Sequence, residues 1–208
     1  MISYCVRTNS ARKRELEETI KSIRKQKGDQ EIIVTGILNQ DFDDIIYYEM
    51  SEEANTGRTS QMRDKGFELA TGEFIVALDD DIILHDGFQE AIGSEDIQIP
   101  QCYNILGGRF WDWCVLDHPE YGHSKIDYKI PYTKHHYLSG QCFIIKSDIA
   151  KQVKHSSELK FHESDDVDYG KRLQSQGFVF TMNEKTICTH FDARYRSIND
   201  DKGIARYG

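Results

Sequence analysis

Phe74-Ile75-Val76-Ala77-Leu78-Asp79-Asp80-Asp81 is the stretch on which the fold turns: five apolar residues run into three carboxylates, and Ile82-Ile83-Leu84 follow. The run is short, partly β-branched and preceded by the turn-forming pair Thr71-Gly72 and then Glu73. It therefore predicts a buried strand of a parallel sheet rather than a helix. Adjacent acids repel one another unless positive charge stands beside them. On an extended backbone Asp79 and Asp81 project to one side and Asp80 to the other. Two carboxylates at the carboxyl end of a buried strand suit a hard divalent cation, Mg²⁺ or Mn²⁺. The competing reading is a solvated acidic turn in which one Asp caps a following helix. An EF-hand is excluded, because Leu84 stands where that loop needs Gly.

Outward from this stretch the chain alternates. Ile2 to Val6 predicts a first strand, ending in a polar turn, Arg7-Thr8-Asn9-Ser10, suited to capping the next helix. Glu15 to Lys27 carries Leu16, Ile20 and Ile23 on one helical face, and Gly28-Asp29 closes it. Glu31 to Leu38 and Ile45 to Tyr48 predict two more strands. Asn55-Thr56-Gly57-Arg58 reads as a loop, and Thr59 to Ala70 as a helix carrying Arg63, Asp64 and Lys65. Asp86 to Lys134 is loop-rich and aromatic, with Phe110, Trp111 and Trp113 offering a platform for a sugar ring or, more plainly, core. Tyr137 to Ile145 returns to strand, Ser147 caps a short helix to Val153, and Asp165 to Leu173 is a helix. Phe178 to Met182 and Thr186 to His190 read as two strands. The alternation indicates an α/β fold, a mainly parallel sheet flanked by helices.

Length and composition bound the function. At 208 residues the chain is one domain, with a core of ordinary size. The net charge of −9 argues against nucleic-acid binding through a basic face. No stretch reaches the length of a membrane span and the N-terminus lacks a signal pattern, so the expected location is cytoplasmic. The five cysteines are scattered and form no CxxC, which fits reduced thiols rather than a disulfide framework or a zinc site. The chain ends abruptly at Tyr207-Gly208, as a piece of a longer multidomain protein would.

Four features stand in order: Arg7-Thr8-Asn9 at a strand end; Asn55-Thr56-Gly57, Arg63-Asp64-Lys65-Gly66 and Ala70-Thr71-Gly72-Glu73-Phe74-Ile75; Asp79-Asp80-Asp81; and Asp165-Asp166-Val167-Asp168-Tyr169-Gly170-Lys171-Arg172-Leu173, with His190 beyond. Together they resemble the nucleotide-sugar-dependent glycosyltransferases of the GT-A fold, above all the large inverting family numbered two. The resemblance runs from Ile2 to His190, and A-x-G-E-F-I joined to L-D-D-D is its most specific part. Asp64 stands where that family usually has Asn, Asp165 where it has Glu, and Tyr169 where it has Leu. The second strand ends in Thr35-Gly36-Ile37-Leu38-Asn39, without the acidic pair that often touches uracil.

The resemblance implies a Rossmann-like GT-A domain over residues 1–208, with a nucleotide-binding half in 1–105 and an acceptor-binding, catalytic half in 106–208. Its implied donor is a UDP-sugar such as UDP-glucose, its metal Mn²⁺ or Mg²⁺, and its acceptor a glycan hydroxyl. Asp81 would ligate the metal, with Asp79 on the ribose or on the metal through water, and His190 completing the set; a half-buried strand histidine is the plainer alternative. Asp166 occupies the position of the general base and Asp165 that of an acceptor contact, although acids in a first helical turn also have an ordinary role. Arg7, Thr8, Asn9, Asn55 and Asp80 would line the nucleotide, with Arg58 and Arg63 pairing with phosphate or with Asp79. Arg194 and Arg196 would fold over the diphosphate. Two rivals remain at this level: a sugar-1-phosphate nucleotidyltransferase, disfavoured because Arg7-Thr8-Asn9-Ser10-Ala11 holds no Gly, and a nucleotide-sugar-binding module without turnover.

Overall fold

A computed structural model describes residues 1–161 and 163–191. The elements run β1 (Ile2–Thr8), α1 (Lys13–Arg24), β2 (Gln30–Gly36), β3 (Ile46–Glu49), α2 (Ser51–Thr56), α3 (Thr59–Leu69), β4 (Phe74–Asp79), β5 (Ile82–Leu84), β6 (Ile97–Asn104), β7 (Cys114–His118), β8 (Gly122–Lys125), β9 (His136–Tyr137), β10 (Cys142–Lys146), α4 (Ser147–Gln152), α5 (Asp165–Ser175) and β11 (Thr181–His190). Eight strands form one sheet in the order β3-β2-β1-β4-β10-β6-β11-β5, and β8-β7-β9 form a small antiparallel sheet beside it. The half built from β3, β2, β1 and β4 is parallel throughout; β10 runs against β4 and β6, and β11 runs parallel to β6.

Burial on both faces explains the unbroken apolar strands. Tyr4, Val6, Ile32, Val34, Phe74, Val76 and Leu78 pack on one face against Leu16, Ile20 and Ile23 of α1. Their alternates Cys5, Ile33, Ile75 and Ala77 pack on the other with Phe67 of α3 and with Tyr169 and Leu173 of α5. Each fully buried Leu, Ile or Phe contributes about 1.5–3 kcal/mol of burial, so these layers hold the strand ends in register. That register positions the site. Arg7 lies directly across from Asp79 on the parallel β1–β4 pair. His190 lies across from Ile82 on the antiparallel β11–β5 pair, which sets it beside Asp81.

Several local expectations are corrected. Arg7 and Thr8 continue β1 instead of forming a turn, and α1 starts after Arg12 with no side-chain cap. Asn55 belongs to the short helix α2, which Gly57 closes at φ +75°, the left-handed conformation that glycine adopts without cost. Ser147 is the first residue of α4 rather than its cap, and its hydroxyl donates to the Gly72 carbonyl. Within the loop-rich aromatic section stand three strands that the sequence did not single out, β6, β7 and β8. The two late strands are one, β11, with a register shift between Asn183 and Ile187. Tyr137 and Cys142 lie on separate strands, β9 and β10. All five cysteines are free and buried. Among the described residues no helix is long and apolar enough to cross a membrane.

Two departures from the family pattern answer each other in the packing. Asp64 accepts hydrogen bonds from the backbone N–H of His155 and sits 2.6 Å from its Nδ1. The His155 ring in turn stacks on Tyr169 at 3.7 Å between centroids. Helices α3 and α5, which carry Arg63 and Asp166, are thus joined behind the cleft.

Candidate active site

A cleft of about 600 Å³ opens at the carboxyl ends of β1 and β4 and is bordered by α5, Phe110, Gly140-Gln141 and His190. Its lining includes Arg7, Thr8, Asn9, Asp79, Asp80, Asp165, Asp166 and His190 among the residues singled out from sequence. Asn55 is exposed on α2 and Arg58 is exposed ahead of α3, and neither lines the cleft; Ala54, Gly57 and Thr59 do so in their place. Arg194 and Arg196 lie outside the described residues.

The three acids fall into different surroundings because the strand ends at Asp79 and the chain turns at Asp80-Asp81. The condition for Asp79 and Asp81 to share one side, an extended backbone, is therefore not met. Asp79 Oδ1 accepts from Arg7 Nε at 2.6 Å and from Arg63 Nη2 at 3.0 Å. Burial alone would raise its pKa, but the two guanidinium groups outweigh that and hold it below the usual carboxylate value. Asp80 accepts from the Thr8 hydroxyl at 2.7 Å. Burial, with the charges of Asp81 and Asp79, pushes Asp80 up to about 7, against the pull of Thr8 and Arg12. Asp81 is wholly buried and its Oδ2 is ion-paired with Arg12. That same oxygen stands 3.6 Å from His190 Nε2, and the His190 ring is stacked on Phe110 at 4.3 Å.

This pair fits a divalent cation. An ion about 2.1 Å from each of two ligand atoms allows them to be up to about 4.2 Å apart. Asp81 Oδ2 and His190 Nε2 satisfy that limit. Among the described residues no group of three or more His, Cys, Asp or Glu side chains converges on one metal position. Mg²⁺-type ions at phosphate sites commonly complete their coordination with water and with the phosphate itself. Asp79 is engaged by two arginines, Arg7 and Arg63.

The opposite wall carries the second carboxylate group. Ser164, at φ +59°, turns the chain into α5 and places Asp165, Asp166 and Asp168 in its first turn. Asp168 is taken by Arg172 at 2.5 Å, the ordinary role of such an acid. Asp165 accepts from Ser60 at 2.7 Å and lies 3.8 Å from Arg7 Nη1. Asp166 accepts the backbone N–H of Gly140 at 3.2 Å and that of Val167 at 2.8 Å. Burial first, and then the charge of Asp165, raise its pKa, which suits a base. Arg63 is buried beneath, donates to the Gly140 carbonyl at 2.5 Å, and is lowered to about 10 by burial and by Arg7. Arg7 Nη1 and Thr59 Oγ1 are buried without a hydrogen-bond partner among the described residues, and both residues line the cleft.

Gly140 lets these groups meet. A Cβ there would lie 3.2 Å from the Asp166 Cβ and 3.5 Å from Arg63 Nη1. Gly140→Ala is expected to displace Asp166 and to lower turnover by about tenfold or more while costing about 1–3 kcal/mol of stability. Paired kinetics and denaturant melts check it; a normal rate would show that Asp166 has room to spare.

Sequence reasoning missed Arg12, Ser60, Gly140, Gln141 and Phe161, all in or against the cleft. Arg12 reads as one of several solvated charges in Ala11-Arg12-Lys13-Arg14, and only the fold turns it inward. Gly140, inside the single strand predicted from Tyr137 to Ile145, was the one signal available. Of the aromatic trio, Phe110 lines the cleft, Trp111 is half-buried beside His123 and Lys125, and Trp113 is core.

The sequence model of a family described as "Glycosyltransferase like family 2" matches residues 13–201. No curated protein sequence matches the chain. Solved structures of low identity share its fold. GalNAc-T7 with UDP, GalNAc and Mn²⁺ superposes with a TM-score of 0.70 at 11% identity, over 92% of this chain and 44% of that one. S. aureus TarS in complex with UDP-GlcNAc gives 0.62 at 16% identity, over 92% and 58%. The mannosyltransferase PcManGT from Pyrobaculum calidifontis, in complex with GDP-Man and Mn²⁺, gives 0.61 at 14% identity, over 91% and 56%. The chain thus spans less than two thirds of the length of each.

Proposed function

The chain belongs to the family-2-like glycosyltransferases, and on that premise we propose that it moves a sugar from a UDP-sugar to a hydroxyl of a glycan or similar acceptor, with inversion at the anomeric carbon. The observation that carries this reading is the meeting of Asp81 and His190 beneath a cleft whose far wall holds a raised-pKa carboxylate, Asp166. Asp81 and His190 would hold Mn²⁺ or Mg²⁺, which neutralises charge on the departing diphosphate. Proteins of this fold solved with UDP, UDP-GlcNAc or GDP-Man, two of them with Mn²⁺, support a nucleotide-sugar donor and a divalent metal.

Residues 1–105 then carry the nucleotide and 106–208 the acceptor, His190 excepted. Thr8, Asn9 and Asp80 line the donor side, and Asp79, held by Arg7 and Arg63, presents its carboxylate to the ribose. Arg7 Nη1, 3.8 Å from Asp165, and Thr59 Oγ1, neither with a hydrogen-bond partner among the described residues, are donors for oxygens of the sugar or diphosphate. Asp166 takes the proton of the acceptor hydroxyl as its oxygen bonds to the anomeric carbon. The bond from that carbon to the diphosphate breaks, and the electron pair leaves with the diphosphate. Asp165, fixed by Ser60, orients the acceptor. Asn55 and Arg58, exposed and outside the cleft lining, are given no part in donor binding. Incubating the chain with UDP-sugars, Mn²⁺ and a panel of glycan acceptors tests the proposal. Release of UDP that rises with one acceptor is expected, and a folded chain that releases none with any sugar would contradict it.

A further inference from the structure

The aim of Asp166 is not settled by the start of its own helix. Helix α5 begins at Asp165 with no side-chain cap, and Ser164 enters it at φ +59°, a left-handed conformation that serine adopts at a cost. Asp166 stands in that first turn, so its direction depends on what grips the turn below. There Tyr169 and Gly170 are both buried. Gly170 lies against backbone: a Cβ on it would stand 3.1 Å from the Leu138 nitrogen. The Tyr169 ring is wholly buried and stacked on His155, 3.7 Å between centroids and 10° between planes. Its hydroxyl has no hydrogen-bond partner among the described residues. The ring, not the hydroxyl, is what holds Tyr169.

His155 is itself tied down. It lies just past α4 with its side chain 2% exposed, its Nδ1 2.6 Å from Asp64 Oδ1 and its backbone N–H donating to Asp64 Oδ2 at 3.1 Å. Burial pushes the imidazole below its ordinary pKa against the pull of Asp64, so the ring is neutral and Nδ1 is the donor. Phe67 of α3 packs beside it at 5.9 Å between centroids. Asp64 follows Arg63 on α3, and Arg63 donates to Asp79 and to the Gly140 carbonyl. A buried row of Asp64, His155 and Tyr169 thus runs from the helix that holds the floor of the cleft to the helix that carries Asp166.

We propose that His155 is a positioning residue for sugar transfer: through the Tyr169 ring it fixes the first turn of α5, so that the Asp166 carboxylate is held at the acceptor hydroxyl. This rests on Asp166 as the base and adds the source of its aim. A displacement of about 1 Å at a reacting group can cost about 100-fold in rate. The donor-side groups Arg7, Thr8 and Asp79 belong to β1 and β4 and keep their places when the row is cut.

His155→Asn tests this, since its amide can still donate to Asp64 while the ring facing Tyr169 is gone. Transfer kinetics and UDP titration in Mn²⁺ are measured below its melting transition, alone and combined with Asp166→Asn. The single variant is expected to lose about 10–100-fold in kcat, with the Kd for UDP within about twofold of wild type. In the Asp166→Asn background the same change should cost less than about twofold, because no base is left to aim. Asp64→Asn, whose amide oxygen still accepts from the ring, should keep the rate within about threefold, and so should Tyr169→Phe, which loses only an unpartnered hydroxyl. A folded His155→Asn protein with a full rate, or a loss undiminished in the Asp166→Asn background, overturns the proposal. A loss in Tyr169→Phe as large as in His155→Asn gives the hydroxyl the role claimed for the ring and overturns it too. If His155→Asn does not fold, Tyr169→Leu removes the same ring contact from the α5 side and is judged by the same two readings. If Asp166→Asn transfers at a normal rate, the base assignment falls and takes this inference with it; if Asp166→Asn is slow and His155→Asn is not, only the role of His155 falls.

Discussion

Asp166→Asn is expected to lower the transfer rate by about 10²–10⁴-fold while leaving UDP binding within about twofold. Asparagine keeps the shape of the side chain and an oxygen to accept the Gly140 N–H, so the wall of the cleft should persist. What it removes is the ability to take a proton. The pH profile gives a second handle with a definite sign. Burial and the neighbouring Asp165 raise the pKa of Asp166, and only its deprotonated form acts as a base. In wild type kcat/KM should therefore fall as the pH drops through a value above the ordinary carboxylate pKa of about 4. Replacing Asp165 by Asn removes a like charge and should move that acid limb to lower pH. A near-normal rate in Asp166→Asn would remove the base assignment, and a limb that Asp165→Asn leaves in place would show that burial alone sets it.

Asp81→Asn should reduce Mn²⁺-dependent UDP binding by about 100-fold or more, the second large effect. A neutral amide is a poor ligand for a hard cation, and it leaves Arg12 without its buried partner. Breaking one side of a buried ion pair costs on the order of 3–5 kcal/mol, so the variant must first be shown to fold by its melt. Asp79→Asn should behave differently. Asp79 is gripped by Arg7 and Arg63, and its loss should weaken UDP in saturating Mn²⁺ while leaving the Mn²⁺ concentration needed for half-maximal binding unchanged. Indistinguishable Mn²⁺ dependence in the two variants would mean that the acids act as one cluster.

Much of the fold could be read from residue pattern because the central strands are buried on both faces. Phe74 to Leu78 shows no polar alternation, and such a run has few homes other than a parallel sheet. The face of α1 was equally plain from Leu16, Ile20 and Ile23. What escaped was set by tertiary contacts. Asn55-Thr56-Gly57 looks like a turn, yet Gly57 ends a helix there, since a left-handed glycine serves either purpose. The polar stretch Asn183-Glu184-Lys185 looks like a break between strands and is instead the irregular middle of β11. Register is a property of pairs of strands, so no single segment shows that Arg7 meets Asp79 or that His190 comes beside Asp81. Arg12 is the clearest case: as sequence it is one basic residue among several, and only the turn after β4 gives it a buried acid to face. Asp165, Asp166 and Asp168 looked alike in sequence. Their partners Ser60, Gly140 and Arg172 are what separate an acceptor contact, a base and a helix-surface ion pair.

The most direct test of the account is calorimetric titration of the wild-type chain with UDP, GDP and TDP, each in Mn²⁺ and in chelator. The account predicts binding of UDP that is tight in Mn²⁺ and lost in chelator, with GDP and TDP far weaker. A folded chain that binds none of the three, or binds UDP equally well in chelator, would contradict it and reduce Asp79-Asp80-Asp81 to an acidic turn neutralised by its own arginines.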